Sequence, residues 1–277
     1  ISAVRSGDPQ ATRQLLAQGT DVDARQPDGA TALHWAAFRD SFGLAKLLIE
    51  AGADVNASNA LGATPLWLAA DNGSDTMVDR LLKAGAAPNQ SLPGGETPLM
   101  TASRAGATAA VRSLLAAGAT VNNAEHSRAQ TALMWAAAQG HHAVVKSLLR
   151  HGADHSSRST VRPRLVNADS SNGSQYDQGI LWNRGGFTPL LFAARHGHIE
   201  SARLLLTAGA PIDDPAPTGA SPLVVATHSG HGEFATYLLR AGADPNAIGA
   251  GYNALHAAIL RGDGKLVEQL LTHGADP

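Results

Sequence analysis

Residues 131–152 read TALMWAAAQGHHAVVKSLLRHG, the clearest copy of a pattern that recurs along this 277-residue chain. Leu133, Ala136 and Ala137 have the i, i+3, i+4 spacing that places side chains on one face of a helix. Residues 144–149 carry a second apolar stripe, and Gly152 then ends that stripe as a left-handed helix cap does. The stretch therefore predicts two short helices, each with one apolar face.

The same pattern occurs seven times. Its copies are separated by 33, 33, 34, 57, 33 and 32 residues, and they start at Thr31, Thr64, Thr97, Thr131, Thr188, Ser221 and Asn253. The threonine hydroxyl can cap the first amides of a helix, and several copies place proline in the first turn, where a missing N–H costs nothing. A single copy cannot bury its apolar face alone, so we expect the copies to stack into a continuous core.

This pattern resembles the ankyrin repeat, and the resemblance covers nearly the whole chain outside about residues 155–185. It implies an all-α solenoid of stacked helix-turn-helix units with β-turn fingers. We expect residues 1–277 to form a single domain of eight repeats, the first one truncated. The expected repeats are 1–28, 29–61, 62–94, 95–128, 129–154, 186–218, 219–250 and 251–277, with an inserted extended finger loop at 155–185.

The insertion accounts for 24 residues beyond the usual repeat length. Its serine, asparagine, glycine and proline content is typical of a loop. Its apolar residues 180–182 favour docking of at least one end on the repeats. Three interpretations remain open: a tolerated insertion without a role, an extended finger that contacts a ligand, or an element for self-association.

The turn before the fifth repeat departs from the pattern. Ala129 stands where the other full repeats have a glycine, namely Gly29, Gly62, Gly95, Gly186, Gly219 and Gly251. Alanine at a positive φ is strained, because its Cβ approaches the backbone. The longer spacing of 34 residues before Thr131 also indicates that this finger has a different conformation.

Composition excludes several classes of protein. The absence of cysteine excludes disulfides and thiolate sites. A net charge of −2 argues against wholesale phosphate binding, and no specific nucleic-acid partner is expected. No apolar run approaches the roughly 20 residues of a membrane-spanning helix. The chain begins at Ile1, and we expect it to be a trimmed piece of a longer protein. Compartment and oligomeric state stay open.

In the family, partners usually lie along a concave face built by the first helices and the finger tips. With Leu33 facing the core, Trp35 lies about 200° and Arg39 about 240° around the helix. Aromatic and arginine side chains are enriched at binding hot spots. The predicted partner-binding residues are Trp35, Arg39, Arg104, Trp135, Gln139, Tyr176, Trp182, Phe192, Arg195, His196, His228 and Arg261. They favour an acidic or amphipathic protein segment. The competing interpretation makes the rings packing elements and the arginines solvated charges.

No catalytic motif, phosphate loop, cofactor site or metal site is predicted. Seven of the twelve histidines fall at architectural positions: His34 and His256 at helix starts, His141, His198 and His231 in Gly-His pairs, and His151 and His273 at helix C-termini. His196 and His228 lie in adjacent repeats and could approach each other. Two histidines do not supply the three or four protein ligands that a zinc site needs. The main hypothesis is a non-catalytic interaction or scaffolding module. Two alternatives remain: a small-ligand or enzymatic pocket roofed by residues 155–185, and an assembly subunit.

Overall fold

The computed structural model describes residues 1–166, 180–247 and 251–277 of the chain. The first four helices are α1 Ser2–Arg5, α2 Pro9–Ala17, α3 Ala32–Phe38 and α4 Phe42–Glu50. The next six are α5 Pro65–Asp71, α6 Asp75–Lys83, α7 Pro98–Ala105, α8 Thr108–Ala116, α9 Ala132–Gln139 and α10 His142–Arg150. Strands β1 Arg162–Val166 and β2 Ile180–Arg184 follow. The last six helices are α11 Pro189–His196, α12 Ile199–Thr207, α13 Pro222–Ser229, α14 Gly232–Arg240, α15 Ala254–Arg261 and α16 Gly264–Thr272.

The helices begin and end at the predicted signals. At α5, the Thr64 hydroxyl accepts the Trp67 N–H at 3.1 Å, while Pro65 fills the first position. Gly52 and Gly152 end second helices with φ values of 86° and 81°, which confirms the predicted left-handed conformation. Glycine adopts this conformation without the steric penalty that other residues pay.

The core consists mainly of leucine and alanine between stacked helices. Leu33, Ala36 and Ala37 are fully buried, and α3 packs on α5 as α5 packs on α7. Further along the chain, α11 packs on α13 and α13 on α15. Each buried leucine contributes about 1.5–3 kcal/mol, so stability is distributed over the repeats. The described residues thus form the predicted all-α repeat solenoid class, with one two-stranded hairpin added.

Two compact units make up the structure. The N-terminal unit contains residues 1–126, 131–136 and 146–153. The C-terminal unit contains residues 127–130, 137–145 and 154–277. Helices α9 and α10 therefore contribute residues to both units.

Asparagine side chains join successive repeats within each unit. The Asn56 amide donates to the Gly85 carbonyl at 3.1 Å and accepts the Ala87 N–H at 2.7 Å. The side-chain amides of three other asparagines donate to glycine carbonyls in the same way: Asn89 to Gly118, Asn122 to Gly152, and Asn246 to Gly274. At the corresponding place before the insertion stands Ser156, whose hydroxyl donates to Asp154 at 2.6 Å instead. The asparagine side-chain bridge between successive repeats is therefore missing at the repeat that carries the insertion.

The insertion extends the tip of a regular finger. Elsewhere a finger closes by a hydrogen bond such as that from Asn59 N to Ala63 O at 3.0 Å. In the sixth repeat the same closure runs from Ser159 N to Phe187 O at 3.0 Å, and the Phe187 N–H returns to the Ser159 hydroxyl at 2.9 Å. Beyond this stem, β1 and β2 pair antiparallel from Arg162 opposite Arg184 to Val166 opposite Ile180.

The finger before the fifth repeat retains the strained turn. Ala129 has a φ of 51°, so it adopts the left-handed conformation that glycine has in the other fingers. An isolated bridge pairs Ala124 with Thr131, and the turn lies between them. The extra residue in the 34-residue spacing before Thr131 therefore lies in this turn, and Ala129 keeps the positive φ of the other fingers.

No helix among the described residues is long and apolar enough to cross a membrane.

Candidate partner-binding surfaces

An aromatic cluster lies on the first helices of the N-terminal unit. The Trp35 indole N–H donates to Gln26 Oε1 at 2.8 Å, and the Arg5 guanidinium lies 4.7 Å from the Trp35 ring centroid. Phe38 packs edge-on against Trp35 with centroids 6.0 Å apart, and 56% of its surface is exposed. Trp35 is thus fixed in orientation by two partners, and Phe38 presents a large ring to solvent.

A second cluster combines charge with a ring. The Arg104 guanidinium contacts the Asp71 carboxylate at 2.5 Å and lies 5.1 Å from the Trp135 ring centroid. Both charged side chains remain partly exposed. Asp71, on α5, was not among the predicted site residues, and the structure pairs it with Arg104. This pairing orients the guanidinium over the indole, where the cation–π attraction acts.

The other predicted residues of repeats two and five are less engaged. Arg39 and Gln139 are both exposed at the ends of their helices. Two exposed apolar residues nearby were not among the predicted site residues: Phe38, and Leu61, which is 74% exposed at a finger tip. Phe38 lies one residue before the predicted Arg39, so helical spacing could have indicated it. Leu61 carries no periodic signal, because it lies in a turn.

In the C-terminal unit, Arg195 and Phe192 share a neighbour outside the predicted set. Phe187 packs against Phe192 with centroids 5.6 Å apart, and the Arg195 guanidinium lies 6.0 Å from the Phe187 ring. Phe187 immediately follows the glycines at the base of the insertion, so the stem of the extended finger contacts the first-helix aromatics. The sequence pattern gave no signal for this contact.

The predicted histidines have different neighbours. The His196 ring stacks on His198 with centroids 6.2 Å apart. Burial, followed by the charges of Arg195, His198 and His231, lowers the pKa of His196. The His228 ring lies 6.1 Å from Tyr252, and its backbone carbonyl accepts the Arg261 guanidinium at 3.0 Å.

Several histidines bond to backbone, as their positions in the repeat indicated. His34 Nδ1 accepts the Thr31 N–H at 3.1 Å, while its Nε2 lies 3.0 Å from the Ala63 carbonyl of the next repeat. His198 Nε2 lies 3.1 Å from the Ala138 carbonyl, and His231 Nε2 lies 3.0 Å from the Arg195 carbonyl. His198 and His231 thus satisfy carbonyls near the ends of first helices, which lack an intrahelical partner, whereas His34 contacts the finger of the next repeat.

Two predicted residues belong to the insertion. Tyr176 lies outside the described residues. Trp182 lies in β2, opposite Arg164 in the register of the hairpin. The base of the hairpin is held by Arg158, which donates to the Gly186 and Pro215 carbonyls at 2.9 Å and pairs with Asp214. Arg162 donates to the Ser127 carbonyl.

A cleft of about 760 Å³ opens between α12, α14 and α16. Its lining includes Ile199, Tyr237 and Leu266 together with charged side chains, and none of the lining residues belongs to 155–185. It is therefore a different place from the pocket hypothesised beneath the insertion. Within the described ranges, no group of three or more histidine and acidic side chains could hold a metal ion.

Comparison with known families supports the resemblance seen in the repeats. A family model described as ankyrin repeats, in three copies, matches residues 1–91, 68–159, 164–249 and 218–277. No curated protein matches the chain at a significant level. Ankyrin repeats are generally protein–protein interaction modules. The family matches extend over most of the chain, and this chain belongs to the ankyrin-repeat family.

Proposed function

We propose that this protein is a non-catalytic recognition or scaffolding module that binds a segment of another protein. The binding surface comprises the first-helix face and the extended finger. The observation that carries this proposal is the Trp35–Phe38 pair, in which a ring fixed by Gln26 and Arg5 supports an exposed neighbouring ring. Such rigid aromatic side chains lose little conformational entropy on binding, which makes them effective anchors.

The Arg104 cluster supplies a complementary polar contact. Its guanidinium is held by Asp71 and Trp135 yet stays partly exposed, so it can donate to a carboxylate of a partner without first being ordered. An apolar anchor on α3 and a positioned cation on α7 suit an amphipathic segment that carries acidic residues.

The extended finger adds a third contact region. Its stem is fixed by the Ser159–Phe187 hydrogen bonds and by Arg158, and Phe187 joins it to the ring of Phe192. A partner that contacts the finger is therefore held at a defined place in the C-terminal unit.

The test is partner capture from the native source with the chain as bait. We expect the Phe38→Ala variant, and more strongly Trp35→Ala combined with Arg104→Ala and Arg195→Ala, to lose the captured protein while keeping the helical circular dichroism spectrum. The matched control is Phe42→Ala, which removes another ring lying under an arginine, with Arg80 4.4 Å above it on the second helices.

Unchanged capture by the triple variant would overturn the proposal, as would equal loss in the Phe42 control. Deleting residues 161–185 separates the alternatives. If the deletion variant still captures the partner protein but is no longer stabilised against heat by a small ligand, the pocket hypothesis is supported. A change in mass by light scattering would support assembly.

A further inference from the structure

Basic side chains form a continuous patch in the C-terminal unit, where three first helices end. The His196 ring stacks on His198, the His231 ring bonds to the Arg195 carbonyl, and Arg261 bonds to the His228 carbonyl. Gly197 and Gly230 have no side chain, and they leave room for His231 and Arg261 respectively. We call this surface the basic patch: Arg195, His196, His198, His228, His231 and Arg261.

The patch has exposed and supporting members. Arg195, His196, His228 and Arg261 are exposed, whereas His198 and His231 are partly buried and bond to backbone carbonyls. The exposed members can therefore contact a partner while the other two hold the helix ends together.

Three acidic side chains lie near the patch in sequence, and two of them have partners of their own. Glu200 on α12 pairs with Arg203 at 2.8 Å, and Asp263 before α16 accepts the Leu266 N–H at 3.1 Å. Glu233 on α14 lines the cleft behind the patch. The charged groups that act on His196 are Arg195, His198 and His231, and those that act on His198 are His231 and His141. Each of these groups is basic.

We propose that the basic patch binds an acidic peptide segment, and that it does so more tightly as the pH falls from about 7.5 to about 6. This inference rests on the proposed function, to which it adds a partner chemistry and a regulation. The charge complementarity comes from two fixed guanidinium groups and four imidazoles that share one surface.

The pH dependence follows from linkage between proton and peptide. Burial and the neighbouring positive charges lower the pKa values of His196 and His198, so these two imidazoles are mainly neutral near neutral pH when no peptide is bound. A bound carboxylate favours the charged imidazole and raises those pKa values again. Because the coupling is reciprocal, protonation strengthens peptide binding by the same factor.

The test uses a short, fluorescein-labelled oligo-aspartate peptide and the full chain. Aspartate stays ionised well above its ordinary pKa of about 3.9, so the charge of the probe is the same at both pH values. At constant ionic strength we expect the dissociation constant, measured by fluorescence anisotropy, to fall about five-fold between pH ~7.5 and pH ~6. A wild-type affinity that is independent of pH overturns the proposal without any variant.

Variants locate the effect. Arg195→Gln should weaken binding at both pH values, whereas His196→Gln should remove much of the pH response. The control is Arg240→Gln, an exposed arginine of α14 outside the patch. Thermal melting verifies that each variant is folded. Equal weakening by the control, or an intact pH response in the histidine variant, contradicts the assignment.

Two further outcomes are informative. A single-stranded oligonucleotide of equal charge that binds more tightly than the peptide would overturn the choice of a peptide. If patch variants bind oligo-aspartate normally while Phe38→Ala still loses the captured protein, the patch inference fails and the proposed function stands.

Discussion

The carboxylate of Asp213 accepts the backbone N–H of Asp244 at 3.2 Å, at the position where four other repeats carry the bridging asparagines Asn56, Asn89, Asn122 and Asn246. Burial raises the pKa of Asp213, and the charge of Asp244 raises it further. At Asn56 the same place supplies a donor to the Gly85 carbonyl of the next repeat as well as an acceptor. An ionised aspartate supplies the acceptor alone.

Replacing Asp213 by asparagine should therefore stabilise the protein. The amide gains a hydrogen bond to the Gly242 carbonyl and removes a repelling charge, which together raise the free energy of unfolding by about 0.5–1.5 kcal/mol. Urea denaturation followed by circular dichroism measures the change. Asp213→Ala is the control, because it removes the charge and the acceptor together, and it should be less stable than the wild type.

The same variant should change the pH dependence of stability. A raised pKa means that the folded chain binds this proton more tightly than the unfolded chain does. The wild type therefore loses stability as the pH rises from about 3.9 to the folded pKa, and the loss is complete above it. The advantage of Asp213→Asn should grow across that window; an advantage that shrinks with rising pH would contradict this account.

His34 and His256 offer a matched pair of substitutions. Both close a capping box at a helix start, but His34 is 2% exposed and also bonds to the Ala63 carbonyl, whereas His256 is exposed. His34→Leu leaves the buried Thr31 N–H without its partner and removes one of the two hydrogen bonds to the Ala63 carbonyl, which should cost about 2–3 kcal/mol, measured by urea denaturation. His256→Leu should cost about 1 kcal/mol or less. Equal losses would show that the bond to the next repeat contributes nothing.

Acid should weaken the contribution of His34. Burial lowers its pKa, so the folded chain binds the proton less tightly than the unfolded chain does. The stability that depends on neutral His34 is present above about pH 6.5 and is lost as the pH falls from there toward the folded pKa. The difference in unfolding free energy between wild type and His34→Leu should narrow over that range.

Ala129→Gly should relieve the strained turn. The residue has a φ of 51°, a conformation that costs alanine about 1–2 kcal/mol. Glycine removes this cost but gives the unfolded chain more freedom, so we expect a net gain of about 0.5–1 kcal/mol in thermal or urea unfolding. Ala136→Gly, in the middle of α9, is the control and should lose at least about 1 kcal/mol. If Ala129→Gly lowers the free energy of unfolding, the turn is not strained by alanine.

Arg158→Gln should loosen the stem of the extended finger. The variant loses the donors to the Gly186 and Pro215 carbonyls and the pair with Asp214. We expect the amide of Ser159, which donates to Phe187, to exchange with deuterium several-fold faster. Arg184→Gln, at the exposed end of β2, serves as the comparison. Unchanged deuterium exchange at the Ser159 amide would show that backbone hydrogen bonds hold the stem without help from Arg158.

The repeat architecture was predictable because its signals are local. Thr64 with Pro65 specifies a helix start, and Gly52 specifies an end, whatever the rest of the chain does. The turn at Ala129 was predicted less well: the strain of alanine at a positive φ and the longer spacing indicated a different conformation, yet the residue keeps the positive φ of the glycines in the other fingers. Repetition turned these local preferences into a fold class.

Contacts that join different repeats were harder to predict. The sequence shows the charges of Asp71 and Arg104, but the choice of rotamers decides that they pair. The pairing of Arg162–Val166 with Ile180–Arg184 depends on a stem between Ser159 and Phe187 that no local pattern marks. The neighbours of His196 and His228 likewise depend on which side chains the adjoining helices present.

The stem at Ser159 and Phe187 has a consequence for how this protein can change. It closes the finger in the same way as an ordinary short turn, so the core of the repeats does not depend on what is carried beyond it. Lengthening a flexible loop is inexpensive, at about 0.6 kcal/mol for each doubling. The stem is therefore a splice point, where evolution or an engineer can exchange one recognition sequence for another of different length without redesigning the scaffold.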